Sequence, residues 1–328
     1  MESQVSVKLN EHIQKINLKF DIFRKEIKKV IVGQDSTVTM SCIALLTNGH
    51  ILLEGVPGVA KTTLIKAISQ ALGLSFQRIQ FTPDLLPSDI VGTLIYNPKT
   101  LDFETKKGPI FANLVLADEI NRSPAKVQAA LLEAMQERQV TIGSTTYHLD
   151  EPFLVFATQN PIENEGTYQL PEAQVDRFMF KLHIGYPTFE QEKEILKRNL
   201  VPASIMPVIT KQDLEEARKV VSEIYLDEKL LEYIVNIIFA TREPVKYGLE
   251  KIKSFIACGA SPRATIAMAN AARAMAFLQG RHFVIPDDIK YVALPILRHR
   301  LILTYQASAE DVSVDKIIRA ILDSVIVP

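Results

Sequence analysis

The spacing of apolar residues divides the chain into two regions with different patterns. Over residues 11–186, short apolar runs alternate with segments in which apolar residues recur every three or four positions, and after Pro187 only the helical spacing remains. The alternation is typical of a parallel sheet whose strands are joined by helices. We therefore predict a flexible N-terminus over 1–10, an α/β core over 11–186 and an all-helical domain over 187–328.

Five apolar runs in the core have the length of buried strands, and right-handed connections would place helices on both faces of their sheet. An amphipathic helix over Glu11–Val32 precedes them. Another clear helix follows the third strand, with Ser123 as its cap and Pro124 at its first position. The predicted strands are Ile51–Glu54, Phe76–Phe81, Asn113–Ala117, Phe153–Ala157 and Phe178–Ile184.

The remaining predicted elements are two hairpins in the core and the helices of the second region. Val91–Pro109 and Val140–Leu149 are hairpin-like because each has turn-forming residues between short strand-like runs, and both could project from the sheet. Asp227 and Ser261 are suitable helix caps. The predicted helices cover residues 189–200, 211–225, 228–241, 262–279, 287–303 and 314–326.

Composition narrows the class of protein. The 328 residues are 47% hydrophobic and 23% charged, as in globular proteins. The 37 basic and 38 acidic residues nearly cancel, so no overall field draws the chain to nucleic acid or to an anionic membrane. Cys42 and Cys258 lack metal-ligand spacing. We find no signal-peptide pattern and no apolar run of membrane-spanning length, and we therefore expect a cytoplasmic protein without a membrane span.

The strongest chemical signal follows the first predicted strand, in the sequence Gly55-Val56-Pro57-Gly58-Val59-Ala60-Lys61-Thr62. A glycine-rich turn that opens a helix points backbone N–H groups and the positive end of the helix dipole at one spot, which suits a phosphate group. Lys61 would reach the β- and γ-phosphates, and the Thr62 hydroxyl would ligate Mg²⁺. Ala60 stands where the standard pattern has glycine, so an ordinary strand-to-helix turn is the alternative.

Two carboxylates, Asp118 and Glu119, directly follow the third predicted strand. Open α/β sheets bind their ligands at the carboxyl ends of the strands. Asp118 would act on a Mg²⁺ ion, and Glu119 would orient and polarise the water that attacks the γ-phosphate. A solvated acidic turn is the alternative.

Three further polar residues lie where they could reach a nucleotide. Asn160 follows the fourth strand, and its amide can donate to a phosphate oxygen and accept from water, although Asn-Pro is also a common turn. Arg177 precedes the fifth strand, and Arg263 opens a helix of the second region. Each arginine, taken singly, could instead form a weak surface ion pair.

This ordered set of motifs resembles the AAA+ ATPases and, within them, the MoxR family. The resemblance covers the chain from about Val30 to the final helices. The segments that carry it most closely are Glu54–Thr63, Phe81–Gly92, Gly108–Gly143 and Thr158–Phe178.

The resemblance implies an ATPase that uses ATP with Mg²⁺, and it assigns a role to each candidate residue. The phosphate cradle would run from Gly55 to Thr63, and alanine at position 60 is common in the family. The implied roles are Walker A for Lys61 and Thr62, Walker B for Asp118 and Glu119, sensor 1 for Asn160, an arginine finger towards the neighbouring subunit for Arg177, sensor 2 for Arg263, and adenine-flanking residues for Val32, Gly33 and Gln34.

The resemblance also implies partners. It predicts a homo-oligomeric ring, expected to be a hexamer, in which the two hairpins face the pore or a client. Arg122 would contact a neighbouring subunit or form a salt bridge at the start of its helix. The implied task is chaperone-like remodelling that matures, activates or inserts a cofactor into a partner complex, often together with a von Willebrand factor A domain protein. The alternatives are a nucleotide-gated scaffold with little turnover and a nucleic-acid motor of the MCM or RuvB type, against which the near-neutral charge counts.

Overall fold

A computed structural model describes residues 2–161, 167–199 and 204–328. The chain divides into two compact units. The α/β unit comprises Ile22–Phe178 and Leu182–Lys211, and the helical unit comprises the chain up to Asp21, Met179–Lys181 and Gln212–Pro328.

The α/β unit contains the predicted parallel sheet. Its five strands lie in the order β2-β5-β8-β1-β9, so the third strand of the sheet, β8, has β5 on one side and β1 on the other. Residues 114–118 of β5 are all buried, as expected for an inner strand covered on both faces. The strands of the chain are β1 Ile51–Gly55, β2 Phe76–Gln80, β3 Gly92–Asn97, β4 Asp102–Lys107, β5 Leu114–Asp118, β6 Gln139–Ile142, β7 Thr145–His148, β8 Leu154–Gln159, β9 Phe180–Ile184, β10 Ile256–Cys258 and β11 Ile302–Leu303.

All five predicted core strands are confirmed, with ends that differ by one or two residues. The two predicted hairpins are confirmed as well, because β3 pairs with β4 and β6 pairs with β7 in antiparallel register. The hairpins touch through a hydrogen bond of 2.9 Å between the Thr105 and Tyr147 hydroxyls.

The helices include every long helix that the apolar spacing predicts. Asp227 and Ser261 cap their helices as predicted, accepting from the backbone N–H of Lys229 and Arg263. The helices are α1 Glu2–Lys28, α2 Asp35–Thr47, α3 Lys61–Leu72, α4 Pro87–Val91, α5 Ala125–Glu137, α6 Glu172–Val175, α7 Phe189–Asn199, α8 Lys211–Glu223, α9 Glu228–Arg242, α10 Glu250–Lys253, α11 Pro262–Leu278, α12 Pro286–Leu297, α13 Tyr305–Ala309 and α14 Val314–Ser324.

Three local predictions differ from the structure. The helix α1 begins at Glu2 rather than at Glu11, because residues 2–10 contain no glycine or proline that would interrupt it. Ser123 does not cap α5, since Pro124 occupies the cap position and the Ser123 hydroxyl lies 3.5 Å from the Ile120 carbonyl. The short strands β10 and β11 form an antiparallel pair in a region for which helices alone were predicted.

The boundary between the units also differs from the predicted one at Tyr186 and Pro187. Helix α7 belongs to the α/β unit, and Met179–Lys181 belongs to the helical unit. Hydrogen bonds from two arginines explain why Met179–Lys181 belongs to the helical unit. The Arg298 guanidinium donates to the Lys181 carbonyl at 3.0 Å, and the Arg300 guanidinium donates to the Met179 carbonyl at 3.1 Å. A contact of this kind joins distant parts of the chain and leaves no mark in apolar periodicity.

A buried histidine joins three segments of the α/β unit. His50 Nδ1 accepts from the backbone N–H of Val155 at 3.0 Å, so the ring proton lies on Nε2, which donates to the Met135 carbonyl at 3.1 Å. Burial lowers the pKa of His50 from 6.5 to about 4, and the nearby positive charge of Arg138 acts in the same direction. The folded protein therefore holds His50 neutral.

We expect the stability of the protein to fall as the pH drops from about 6.5 towards 4. The unfolded chain protonates His50 near pH 6.5 and the folded chain only near pH 4, so the unfolded state binds the extra proton in this interval. At the acid end of this interval the free energy of unfolding is lower by roughly 3 kcal/mol. Chemical unfolding at several pH values should show a shallower pH dependence for His50→Gln, whose side chain does not titrate. Equal pH dependence in the two proteins would contradict the assignment.

Candidate active site

The carboxyl ends of three neighbouring strands carry the predicted chemistry. The cradle follows β1, Asp118 ends β5 with Glu119 directly after it, and Asn160 follows β8, which lies between those two strands. The register places Ala117 opposite Ala157 and Leu53 opposite Thr158. The ends of the three strands therefore lie level with one another at one edge of the sheet.

The cradle is a tight turn between β1 and α3. Gly58 has φ of +83°, and a Cβ added to it would meet nothing within 4 Å, so the backbone conformation alone calls for glycine there. Ala60 also adopts the left-handed conformation, with φ of +59°. This conformation costs an alanine about 1–2 kcal/mol, which is the physical consequence of the departure from the glycine pattern.

Two side chains fix the cradle. Lys61 Nζ donates to the Gly55 carbonyl at 2.7 Å, which holds the ammonium group over the turn. Gln34 Nε2 donates to the Val59 carbonyl at 3.0 Å and ties the segment before α2 to the turn. The first N–H groups of α3 have no acceptor within the helix, as at the start of any helix. The donors that a phosphate requires are therefore grouped at this point.

A cavity of about 520 Å³ adjoins the cradle. This volume lies in the range of small-molecule sites. Its walls come from four segments of the α/β unit. They are residues 30–34 with Ser36 and Thr37, the cradle residues Gly58 to Ala60 with Thr63, residues 183–187, and Gln191 and Ile195 of α7. Neither residues 183–187 nor α7 were predicted to line a site, although Tyr186, an aromatic residue just after the fifth predicted strand, was a signal for the former.

Asp118 is buried and receives three hydrogen bonds. The Thr158 hydroxyl donates to Oδ1 at 2.6 Å, and Arg78 donates to Oδ2 through Nε at 2.9 Å and through Nη2 at 2.6 Å. The guanidinium offsets the cost of burying the carboxylate. Sequence reasoning missed Arg78 and Thr158 because neither lies in a motif that predicts this contact.

Glu119 lies one residue further, in the left-handed conformation with φ of +56°. Its backbone N–H donates to the Thr158 hydroxyl at 2.8 Å. Its Oε2 accepts from Gln80 at 2.8 Å and from Arg122 at 3.0 Å. The helix-entry salt bridge predicted as one role of Arg122 is therefore present.

Comparison with known proteins agrees with this geometry. The profile of the ATPase family associated with various cellular activities (AAA) matches residues 50–180, and the AAA lid domain profile matches residues 250–321. Chaperone MoxR1 of Mycobacterium tuberculosis is 49% identical over 92% of this chain and 81% of its own length. Protein MoxR of Paracoccus denitrificans is 32% identical over 84% of this chain and 86% of its own. The chain belongs to the MoxR family of AAA+ ATPases.

A solved structure supports the fold of this MoxR-family protein. The crystal structure of a protein from Cytophaga hutchinsonii is 50% identical to it and superposes with a TM-score of 0.93 over 100% of both chains. The family is one of nucleotide-binding ATPases. Within the ranges that the structure describes, every helix is too short or too polar to cross a membrane.

The remaining predicted site residues lie in different places. Asn160 is buried at the sheet edge beside the cradle and the carboxylates. Arg177 lies before β9, at the amino end of that strand and thus at the opposite edge of the sheet. Arg263 lies exposed in the first turn of α11, in the helical unit. Residues 162–166 of the segment Thr158–Phe178 lie outside the described residues.

Proposed function

We propose that this MoxR-family protein hydrolyses ATP with Mg²⁺ and uses the energy to remodel a partner protein complex. One observation carries the proposal. A cradle with Lys61, two oriented carboxylates and a buried amide share one sheet edge, and a cavity of about 520 Å³ adjoins the cradle. Phosphoryl transfer needs this set of a phosphate cradle, a metal ligand and a water-orienting group.

The residues present suit both ATP and the metal ion. The cradle N–H groups and Lys61 would bind the phosphates, and the segment from Val32 to Gln34 would flank the base. Thr62 and Asp118 would hold Mg²⁺, which would neutralise charge on the phosphate oxygens. Glu119 would orient and polarise the attacking water, and the Asn160 amide would contact that water or a phosphate oxygen.

Replacement of Lys61 by alanine is expected to weaken ATP binding by about 10- to 100-fold, because it removes a charged donor to the phosphates. Titration with a fluorescent ATP analogue measures the affinity directly. Lys66→Ala is the matched control, since Lys66 is exposed on the same helix. Equal affinity in the two variants would contradict the placement of the triphosphate at Lys61.

We further propose that the active form is a ring, expected to be a hexamer, in which Arg177 completes the site of the adjacent subunit. The position of Arg177 at the far edge of its own sheet supports this arrangement, because the side chain cannot reach its own cradle. Arg263 of the lid would be sensor 2. Head-to-tail contacts that close on themselves give such rings.

The proposal of a remodelling task is supported by relatives such as the one named Chaperone MoxR1. A von Willebrand factor A domain protein and a client complex would be the partners, and the hairpins β3–β4 and β6–β7 would contact the client. A scaffold with little turnover is the second candidate, favoured by the engagement of Glu119 with Gln80 and Arg122. Phosphate release measured with and without the partner separates the two, because a scaffold stays slow in both conditions.

A further inference from the structure

Thr158 is the buried residue that joins both carboxylate positions. It lies on β8, between β5 and β1, and its side chain is fully buried. Its hydroxyl donates to Asp118 Oδ1 at 2.6 Å and accepts from the Glu119 backbone N–H at 2.8 Å. Thr158 itself has no part in the roles proposed above.

The two hydrogen bonds use the donor proton and one acceptor site of the hydroxyl group. A threonine hydroxyl has one proton to donate, and here the carboxylate takes it, which leaves a lone pair for the N–H of Glu119. The other oxygen of Asp118 is held by Arg78 on β2. The Asp118 carboxylate is thus fixed from a strand on each side, and its plane cannot rotate without breaking a buried hydrogen bond.

Thr158 also supports the strained backbone of Glu119. The left-handed conformation is sterically unfavourable for a residue other than glycine, so it needs support from its surroundings. The last paired residues of β5 and β8 are Ala117 and Ala157. Beyond this pair the hydroxyl of Thr158 takes the place of a backbone acceptor for the N–H of Glu119. Strand β5 therefore ends at Asp118, and the turn begins at Glu119. The hydrogen bond from the Glu119 N–H to the Thr158 hydroxyl fixes the orientation of Glu119.

We propose that Thr158 is a positioning residue of the ATPase site. Its hydroxyl sets the orientation of Asp118 towards Mg²⁺ and of Glu119 towards the attacking water. The inference rests on the proposed ATPase function. Groups that orient metal ligands in this way commonly contribute about 10- to 100-fold to metal affinity or activity.

Two substitutions separate the hydroxyl from the shape of the side chain. Thr158→Val keeps the volume and removes both hydrogen bonds, whereas Thr158→Ser keeps the hydroxyl. For Thr158→Val we expect kcat to fall about 10- to 100-fold and the gain in ATP-analogue affinity on adding Mg²⁺ to shrink. Affinity measured in EDTA should stay close to that of the wild type, since the cradle is untouched. Thr158→Ser should restore most of kcat. Thr158→Ala serves as a second variant without the hydroxyl should the valine fail to fold.

Thr241→Val is a matched control for loss of stability. Thr241 is also fully buried, and its hydroxyl also makes one donated and one accepted hydrogen bond. It donates to the Ile238 carbonyl and accepts from the Ala260 N–H. It lies in the helical unit. Its replacement should lower the melting temperature without changing the effect of Mg²⁺ on nucleotide affinity.

The inference is overturned if Thr158→Val turns over ATP like the wild type, or if Thr158→Ser loses as much kcat as Thr158→Val. It is also overturned if affinity in EDTA falls as far as affinity with Mg²⁺. These results differ from failure of the proposed function, in which the wild-type protein itself would release no phosphate from ATP.

Discussion

Replacement of Glu119 by glutamine is expected to lower ATP turnover by about 10²- to 10⁴-fold, the usual contribution of a general base, and to leave ATP binding intact. Glutamine has the size and shape of glutamate, so the turn after β5 should persist. It lacks the negative charge with which Glu119 would polarise the water. Steady-state phosphate release and equilibrium binding of a fluorescent ATP analogue measure the two quantities separately.

The Glu119→Gln result has a matched control in the same unit. Glu133 lies exposed on α5, so Glu133→Gln makes the same chemical change away from the sheet edge. Its turnover should equal that of the wild type. Normal turnover in Glu119→Gln would remove the catalytic assignment, and a parallel loss of ATP binding would assign Glu119 to holding the nucleotide instead.

The elements of the site could be predicted because each depends on residues close together in the sequence. Buried strands require continuous apolar runs, and the turn before Lys61 requires residues that tolerate positive φ. The end of β5 places Asp118 and Glu119 beside the cradle only because parallel strands share one direction. For these reasons the sheet edge with its main polar groups follows from local patterns.

The contacts between these elements could not be predicted, because they depend on the order of the strands. Arg78 contacts Asp118 only because β2 pairs with β5. The register of this pair places Gln80 opposite Asp118. Thr158 meets both carboxylate positions only since β8 lies beside β5. In the sequence alone, Arg78 is a polar residue in a predicted strand, and Thr158 is a small residue in the segment Thr-Gln-Asn-Pro, which contains a common turn. Strand order is a property of the whole chain, and apolar spacing does not encode it.

The second large effect on ATP turnover is expected from replacement of Arg177. The strand β9 has five residues and ends at the cavity, so roughly 16 Å of extended chain separate its two ends. Arg177 precedes the end of β9 that lies away from the cavity. Its Nε is buried without a hydrogen-bond partner among the described residues. If the guanidinium acts on a phosphate, that phosphate therefore belongs to another subunit. Arginine fingers contribute about 10³- to 10⁵-fold to turnover, so we expect a loss of this size in Arg177→Ala.

Mixing two inactive variants tests whether the site is shared. Lys61→Ala subunits keep Arg177, and Arg177→Ala subunits keep the cradle, so one kind of interface in a mixed ring is complete. With equal amounts and random assembly, about a quarter of the head-to-tail interfaces have this composition, and phosphate release should recover towards that fraction of the wild-type rate.

The control for this experiment is the double variant Lys61→Ala/Arg177→Ala, mixed with Lys61→Ala. No interface of that mixture combines an intact cradle with another subunit's Arg177, so no activity should return. If the first mixture also stays inactive while labelled subunits are seen to exchange, Arg177 does not serve a neighbouring site. Recovery in the first mixture alone requires that ATP turnover depends on assembly, because the groups needed for the reaction then come from two chains.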